Sequence, residues 1–291
     1  MKRWGNRTAI KPGHLSRELR YYVHFGRLVG VGGMVEVATE YLTGRSSFPW
    51  YDVLRSRVNG GRGLEIGGPS RIYAARGPLP IYPLLASCDN VDFARETLWS
   101  PAFPPGQGRG SAPVPNGSKV VSDATHMPEI GSASYDVLLS SHVIEHLANP
   151  LRALKEWKRL LKNDGVLLAV VPDGARTFDH RRPVTPLEHI VHDFDRDVGE
   201  DDMTHLEEIL DLHDLALDPG VGSREEFIAR SYSNPRVRAL HHHVFSRESL
   251  ARVLGVAGFK VEVTGSLAPD NIVAYSVPSR ESPRVPEARA T

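Results

Sequence analysis

Short apolar runs alternate with amphipathic segments from about residue 60 onward, and this pattern predicts strands that alternate with helices. The first run, in residues 63–70 (GLEIGGPS), carries Glu65 and then breaks into a glycine turn at Gly67 and Gly68. Residues 135–141 (YDVLLSS) are almost continuously apolar, as in a strand covered on both faces. Further strands are predicted at residues 87–91, 119–122, 166–171, 260–264 and 271–277.

Two helices are clearly predicted between these strands. Asn149 can cap the first, Pro150 suits its first position, and its leucines repeat on one face until Gly165. The second covers residues 246–257 and ends at Gly258. This alternation favours an α/β fold, with a Rossmann-like, seven-stranded, mostly parallel sheet and helices on both faces.

The flanking regions predict three further parts. Residues 1–58 lack strand alternation, and helices at about 15–29 and 34–42 indicate a helical cap on a domain of residues 59–278. Within that domain, residues 174–243 predict a helical lid, whose first helix would begin with a capping box at Thr185 and Glu188. A surface loop at residues 94–118 and a disordered tail at residues 279–291 complete the organisation.

Composition narrows the classes of partner. Lys plus Arg and Asp plus Glu both number 35, so the net charge is zero and gives no general reason to bind nucleic acid or an anionic membrane. The single cysteine, Cys88, rules out an internal disulfide. No apolar run is long enough to span a bilayer, so we expect a cytoplasmic protein.

Several polar or glycine positions follow directly after predicted parallel strands. Gly67, Asp92, Asp123 and Ser141 each lie where a strand ends. Ligands of parallel α/β sheets bind beyond the carboxyl ends of the strands, so these four positions should converge on one site. A glycine turn followed by free N–H groups is suited to a nucleotide.

These segments resemble the class I S-adenosylmethionine-dependent methyltransferases, in particular the group labelled methyltransferase type 11. The resemblance covers residues 61–171 and 244–277, with the motifs LEIGG, NVDFA, SDATHMP and YDVLLSSHVIEHL. The sequence departs from the usual G-x-G turn, since Pro69 stands at the second glycine position. The resemblance implies S-adenosylmethionine as cofactor.

Specific roles in cofactor binding follow from the resemblance. Asp92 would accept hydrogen bonds from the ribose hydroxyls, and Asp123 with the Ala124 N–H would meet the adenine. Glu65 would lie under the methionine end, where its negative charge suits the cationic groups. The predicted cofactor-binding residues are Glu65, Gly67, Gly68, Asp92, Asp123, Ala124 and Ser141.

The segment SHVIEHL, after the fourth strand, supplies candidate catalytic residues. His142 is the candidate base beside the transferred methyl group, with Glu145 and His146 next to it. The spacing of these three residues is also similar to the E-x-x-E-H motif of metal-dependent methyltransferases of ubiquinone biosynthesis and small-RNA 2'-O-methylation. A divalent cation such as Mg²⁺ is therefore a second interpretation, with His192 or residues 241–243 offering a fourth ligand.

The predicted lid is dense in hydrogen-bonding side chains. These candidate substrate-binding residues are His180, Arg182, His189, His192 and Asp193. Such groups suit a small polyhydroxylated acceptor, so the leading hypothesis is an O-methyltransferase acting on a saccharide or glycosylated metabolite. The alternatives are N- or C-methylation of a natural product, or a module that binds the cofactor without catalysis.

Overall fold

The computed structural model describes residues 23–35, 38–39, 50–98, 117–218 and 220–280. Within this part of the chain, residues 23–35 and 38–39 are helical. The remaining residues of the two helices predicted at 15–29 and 34–42 lie outside the described ranges. So do most of the predicted loop at 94–118 and all but two residues of the predicted tail.

A single seven-stranded sheet forms the centre of the described fold, in the order β3-β2-β1-β4-β5-β7-β6. The strands are β1 (Arg62–Ile66), β2 (Ser87–Asp92), β3 (Lys119–Val121), β4 (Tyr135–Ser141), β5 (Leu161–Pro172), β6 (Phe259–Leu267) and β7 (Asn271–Pro278). Only β7 runs antiparallel to its neighbours, β5 and β6. The predicted Rossmann-like, mostly parallel sheet is therefore confirmed.

Seven α-helices follow residue 50 in the described part of the chain. They are α1 (Tyr51–Val58), α2 (Pro150–Leu160), α3 (Leu187–Asp195), α4 (Leu206–Leu212), α5 (Arg224–Tyr232), α6 (Asn234–Val237) and α7 (Arg247–Val256). The helices α3 to α6 all lie between β5 and α7 in the chain. None of the described helices has the length and apolar character needed to cross a bilayer.

The continuous apolar runs of the central strands divide between two cores. In β4, Leu138 faces the core that contains α2 and α7, whereas Val137 and Leu139 face the opposite core. The second core is closed by α1 and by the chain between β1 and β2, which forms short 3-10 turns at Arg71–Tyr73 and Tyr82–Leu84. Burial on both faces explains why these strands show no polar alternation.

The helix α2 begins as predicted but ends earlier. The Asn149 side chain accepts a hydrogen bond from the Arg152 N–H at 3.0 Å, and Pro150 occupies the first position. The helix ends at Leu160 rather than near Gly165, because Leu161 already pairs with Tyr135 of β4 in extended conformation. Tertiary pairing thus overrides local helix propensity.

The predicted capping box of the first lid helix is wrong. No side chain caps α3, and its N-cap position is Pro186. The Thr185 hydroxyl instead accepts a hydrogen bond from the Val244 N–H at 2.9 Å. Thr185 therefore ties the start of the lid to the segment that returns to the sheet.

Trp157 on α2 links the helix to the loop after β3 and is the basis of a stability prediction. Its side chain is fully buried, and Nε1 donates to the Ala124 carbonyl at 2.9 Å. Replacement by alanine leaves a cavity and an unpaired carbonyl, so we expect Trp157→Ala to lower the free energy of unfolding by about 3–5 kcal/mol. Urea denaturation measures this, with Trp50→Ala as the matched control because Trp50 is 46% exposed. Equal losses in the two variants would contradict the described packing.

Candidate functional site

A cavity of about 580 Å³ opens at the carboxyl ends of β1, β2 and β4. The sheet side of its wall includes Gly67, Asp92 and Ser141, and the side formed by the segment between β5 and α7 includes Phe178 and His241. Three of the four strand-end positions predicted to converge thus line one concave site, as expected for a parallel sheet, whereas Asp123 does not line it.

The turn after β1 requires glycine at Gly67. Its φ is +76°, and a Cβ there would lie 2.5 Å from Val143 Cγ2. A side chain is excluded both by the left-handed backbone and by this contact. Gly68 does not line the cavity, and a Cβ at Gly68 would lie 2.1 Å from the Glu65 carboxyl carbon. Gly68 thus makes room for Glu65.

Glu65 lies behind the turn and does not line the cavity. Its carboxylate accepts hydrogen bonds from the Ser70 N–H at 3.0 Å and from the Tyr82 hydroxyl. The same Ser70 N–H also donates to the Tyr82 oxygen at 2.8 Å. Burial raises the pKa of Glu65 to about 7, despite these hydrogen bonds. The carboxyl group therefore shapes the turn from beneath.

The two aspartates after β2 and in the loop after β3 differ in orientation. Asp92 is buried, lines the cavity, and lies 3.4 Å from Lys119 Nζ. Asp123 is turned aside, because its carboxylate accepts from the Thr125 N–H and hydroxyl and pairs with Arg238 at 2.7 Å. Ala124, next to Asp123, contributes to the wall.

His142 directly follows β4 and lines the cavity. Its backbone has φ +55°, an unusual conformation for a residue other than glycine. Its Nε2 lies 2.7 Å from Asn271 Oδ1, and Nδ1 lies 3.5 Å from Glu145 Oε1. Burial, together with neighbouring His241, lowers the pKa of His142 to about 4. The imidazole is therefore neutral at physiological pH.

Glu145 and His146 lie below His142. Glu145 is buried, and neither carboxyl oxygen has a hydrogen-bond partner among the residues that the structure describes. Burial raises the pKa of Glu145 to about 7. His146 lines the cavity, and its Nδ1 lies 2.9 Å from the Leu240 carbonyl, to which it donates.

His241 lines the same wall and is paired with the buried Asp179; neither residue was predicted as catalytic. His241 Nδ1 lies 2.6 Å from Asp179 Oδ2, and Arg182 Nη1 lies 2.9 Å from Asp179 Oδ1. Burial disfavours the charged imidazole, but the Asp179 charge and hydrogen bond outweigh it and raise the pKa of His241. Burial likewise opposes ionisation of Asp179, yet His241 and Arg182 lower its pKa to about 2. The pair thus combines an ionised carboxylate with an oriented imidazole.

The five residues predicted to bind substrate lie outside the cavity wall. His180 pairs with Asp214, and Arg182 is buried against Asp179, Glu208 and two backbone carbonyls. His192 is exposed to solvent. His189 and Asp193 belong to a separate cluster, because the apolar positions of α3, Leu187 and Ile190, turn that face of the helix away from the cavity. The residues from this part of the chain that do line the wall are Thr177, Phe178, Leu217, Asp218, Gly220, Arg230, Arg238, Ala239 and His241.

The donor groups near His142 do not fit the predicted Mg²⁺. Glu145, His146 and His241 can approach one point and supply one carboxylate and two imidazoles. Mg²⁺ prefers oxygen ligands in octahedral geometry, so a set dominated by imidazole nitrogen disfavours it.

Comparisons with known proteins agree with this architecture. A family model described as a methyltransferase domain matches residues 30–263. No curated protein is significantly similar in sequence to the chain.

Solved structures similar to the chain include three described as SAM-dependent methyltransferases. One from Methanosarcina mazei is 14% identical, with 79% of this chain and 98% of that chain covered and a TM-score of 0.43. One from Aquifex aeolicus is 14% identical, with 79% and 90% covered and a TM-score of 0.41. One from Thermotoga maritima is 17% identical, with 92% and 99% covered and a TM-score of 0.40.

The raised pKa of Glu65 predicts a pH-dependent stability difference. Folding raises this pKa from 4.5 to about 7, so the folded state binds the proton more tightly than the unfolded chain. The stabilisation is complete below about pH 4.5 and is lost as the pH rises through about 7. The stability advantage of the wild type over Glu65→Gln should therefore fall by up to about 1.4 kcal/mol per pH unit across this window.

Chemical denaturation of both proteins at several pH values measures this difference. Glu248→Gln, at an exposed position of α7, is the matched control. A difference between wild type and Glu65→Gln that stays constant with pH would contradict the buried placement of Glu65.

Proposed function

The chain belongs to the methyltransferase domain family, and we propose that it transfers a methyl group from S-adenosylmethionine to a hydroxyl of a small polar acceptor. The observation that carries the choice of a hydroxyl is that His241 lines the cavity and is hydrogen-bonded to the buried Asp179 carboxylate. A hydroxyl must lose its proton to become a competent nucleophile, and an imidazole oriented by a carboxylate is suited to accept that proton.

The shape and the polar groups of the cavity wall suit the cofactor. Gly67 leaves space where a side chain would collide, and Asp92 presents a buried carboxylate in the wall. We assign cofactor binding to Gly67, Asp92, Ala124 and Ser141, with Glu65, Gly68 and Asp123 shaping the loops that carry them. When bound, S-adenosylmethionine supplies a methyl group on a positively charged sulfur.

His241 is the proton acceptor in this proposal. Asp179 is ionised and can only accept a hydrogen bond, so His241 Nδ1 carries the proton and Nε2 carries the lone pair. The Nε2 atom takes the hydroxyl proton, and the Asp179 charge stabilises the imidazolium that results. Arg182, buried beside Asp179, keeps that carboxylate in place.

Three residues near His241 have supporting roles in this proposal: His142, Glu145 and His146. Asn271 holds one ring nitrogen of His142, and the pKa of about 4 makes His142 a weaker base than His241. We propose that His142 positions the acceptor hydroxyl. Glu145 lies next to the His142 ring and His146 next to the His241 ring, so these two residues hold both imidazoles in position.

The acceptor side of the cavity favours a hydroxylated molecule such as a saccharide. Asp218 and Arg230 form an ion pair of 3.0 Å in the wall, and Arg238 also lines it. Phe178 adds an aromatic face next to His241, with ring centroids 4.7 Å apart. Paired charges with one aromatic ring suit the alternating polar and apolar faces of a sugar better than a flat hydrophobic ring.

The predicted division into domains is part of the proposal. Residues 1–58 would act as a cap, supported by the packing of Leu54 and Val58 of α1 against the sheet. The lid of about residues 174–243 would enclose the acceptor, supported by its contribution to the cavity wall. Residues 279–291 would remain a tail.

Removal of the Asp92 carboxylate should weaken cofactor binding. A hydrogen bond to a charged group contributes about 1.5–3 kcal/mol, so Asp92→Ala should lower S-adenosylmethionine affinity by about 10- to 100-fold in calorimetry. Asp164→Asn is the matched control, because Asp164 is exposed at the opposite end of β5. Unchanged affinity in Asp92→Ala would contradict the assignment.

The proton-acceptor role of His241 predicts a separation of turnover from binding. His241→Gln and Asp179→Asn should each lower kcat by about 100-fold or more while S-adenosylmethionine affinity changes little. Because a raised pKa leaves His241 protonated at low pH, wild-type kcat should rise as the pH passes through that pKa. Full turnover in His241→Gln would contradict the role and favour a nitrogen or carbon acceptor.

The acceptor itself is identified by a screen. Polar metabolites and oligosaccharides are incubated with protein and S-adenosylmethionine, and mass spectrometry detects a gain of one methyl group. The proposal predicts products whose methyl group is on oxygen. Products methylated only on nitrogen or carbon would overturn it.

A further inference from the structure

A second group of histidines lies outside the cavity wall. His189 and Asp193 on α3, His205 just before α4, and His243 on the segment leading back to the sheet each place one ligand atom within 4.8 Å of the others. None of the four lines the cavity. They form a cluster distinct from the Asp179–His241 pair.

Three interatomic distances within this cluster, 3.1, 3.2 and 3.9 Å, lie on either side of those around a tetrahedral zinc ion. His189 Nε2 lies 3.1 Å from His205 Nε2 and 3.2 Å from Asp193 Oδ2. His243 Nε2 lies 3.9 Å from the same Asp193 oxygen. Zinc bonds of about 2.0–2.2 Å in tetrahedral geometry set ligand atoms about 3.3–3.6 Å apart.

Hydrogen bonding within the cluster leaves its polar atoms poorly satisfied. Asp193 Oδ2 is buried and has no hydrogen-bond partner among the described residues, although His189 Nε2 is close to it. His243 Nδ1 likewise has none, and the ring makes one hydrogen bond, from Nε2 to the Ala148 carbonyl at 3.3 Å. Burying a carboxylate oxygen without a hydrogen-bond donor costs free energy, whereas a cation at the centre of the cluster would bind that oxygen and offset the cost.

The chemistry of the donors selects the metal. Three imidazoles and one carboxylate are a set that zinc accepts and that Mg²⁺ or Ca²⁺ does not favour. The His189 side chain is 37% exposed and leaves a route by which an ion can enter.

We propose that His189, Asp193, His205 and His243 form a structural zinc site that holds separate segments of the lid together. Four protein ligands close the coordination sphere, as in structural rather than catalytic zinc sites. The ion joins α3, the start of α4 and the segment after α6. The His243 N–H donates to the Glu145 carbonyl at 3.2 Å, so the site also steadies the floor of the cavity.

Metal analysis of the intact purified chain tests the site without an activity assay. After dialysis against metal-free buffer, plasma mass spectrometry should find one zinc per chain, and the protein stripped with a chelator should rebind one equivalent. Cobalt added to the stripped protein should give the strong visible absorption of tetrahedral coordination. Zinc removal should lower the melting temperature, because the ion binds only the folded state.

Variants locate the ion. His189→Ala and His205→Ala should each weaken zinc affinity by more than about 100-fold. His192→Ala should retain wild-type affinity, since His192 lies on the same helix but is exposed and outside the cluster. His146→Ala should also retain zinc, which separates this cluster from the one at Glu145.

Two results would overturn the proposal. One is a stripped wild-type chain that binds neither zinc nor cobalt at micromolar concentration. The other is zinc binding that His146→Ala abolishes and His189→Ala leaves intact. Because the wild-type cobalt spectrum needs no variant, misfolding of a substituted chain does not obscure the outcome.

Discussion

The geometry of the cavity wall depends on the contacts that Arg182 and His241 make with the buried carboxylate of Asp179. It is almost inaccessible to solvent, yet it remains ionised because Arg182 binds one oxygen and His241 binds the other. Arg182 in turn holds the backbone carbonyls of His241 and His242 at 2.8 and 3.3 Å. One negative charge therefore fixes both the imidazole and the chain segment that presents it. Breaking such a buried pair is far more costly than breaking a surface one.

Two buried glutamates show the opposite balance. Neither Glu65 nor Glu145 pairs with a lysine or arginine among the described residues, and burial raises the pKa of each to about 7. Asp179 is equally deep, but the Arg182 guanidinium and the hydrogen bond from His241 reverse the direction of the shift. The fold thus keeps a charged carboxylate directly behind His241 of the cavity wall, whereas Glu65 and Glu145, which do not line the cavity, have raised pKa values. In the proposed mechanism, Asp179 therefore stabilises the charge on the His241 imidazolium, whereas the glutamates have a structural role.

The sequence predicts the sheet far better than the lid. The strand β4 and the start of α2 follow from local rules, since a continuous apolar run and an Asn-Pro cap need no knowledge of distant residues. Asp92 follows from the general rule that ligands bind at strand ends.

The Asp179–His241 pair, by contrast, joins residues 62 positions apart, and no spacing rule connects them. As predicted, His189 and Asp193 lie on one helix. Which face of that helix meets the cavity depends on how Leu187 and Ile190 pack in the core. The triple histidine at residues 241–243 is the one sequence feature that points to this segment as part of a functional site. Its three rings point to different neighbours: the cavity, Asn234 and the His189 cluster.

The most direct test of the central claim is a nuclear magnetic resonance titration of the His241 ring, in the wild type and in Asp179→Asn with S-adenosylhomocysteine bound. The account predicts an Nδ1 proton protected by a strong hydrogen bond and a ring pKa above 6.5 in the wild type, with both features lost in the variant. A wild-type ring that titrates below 6.5, or one that is unaffected by Asp179→Asn, would contradict it.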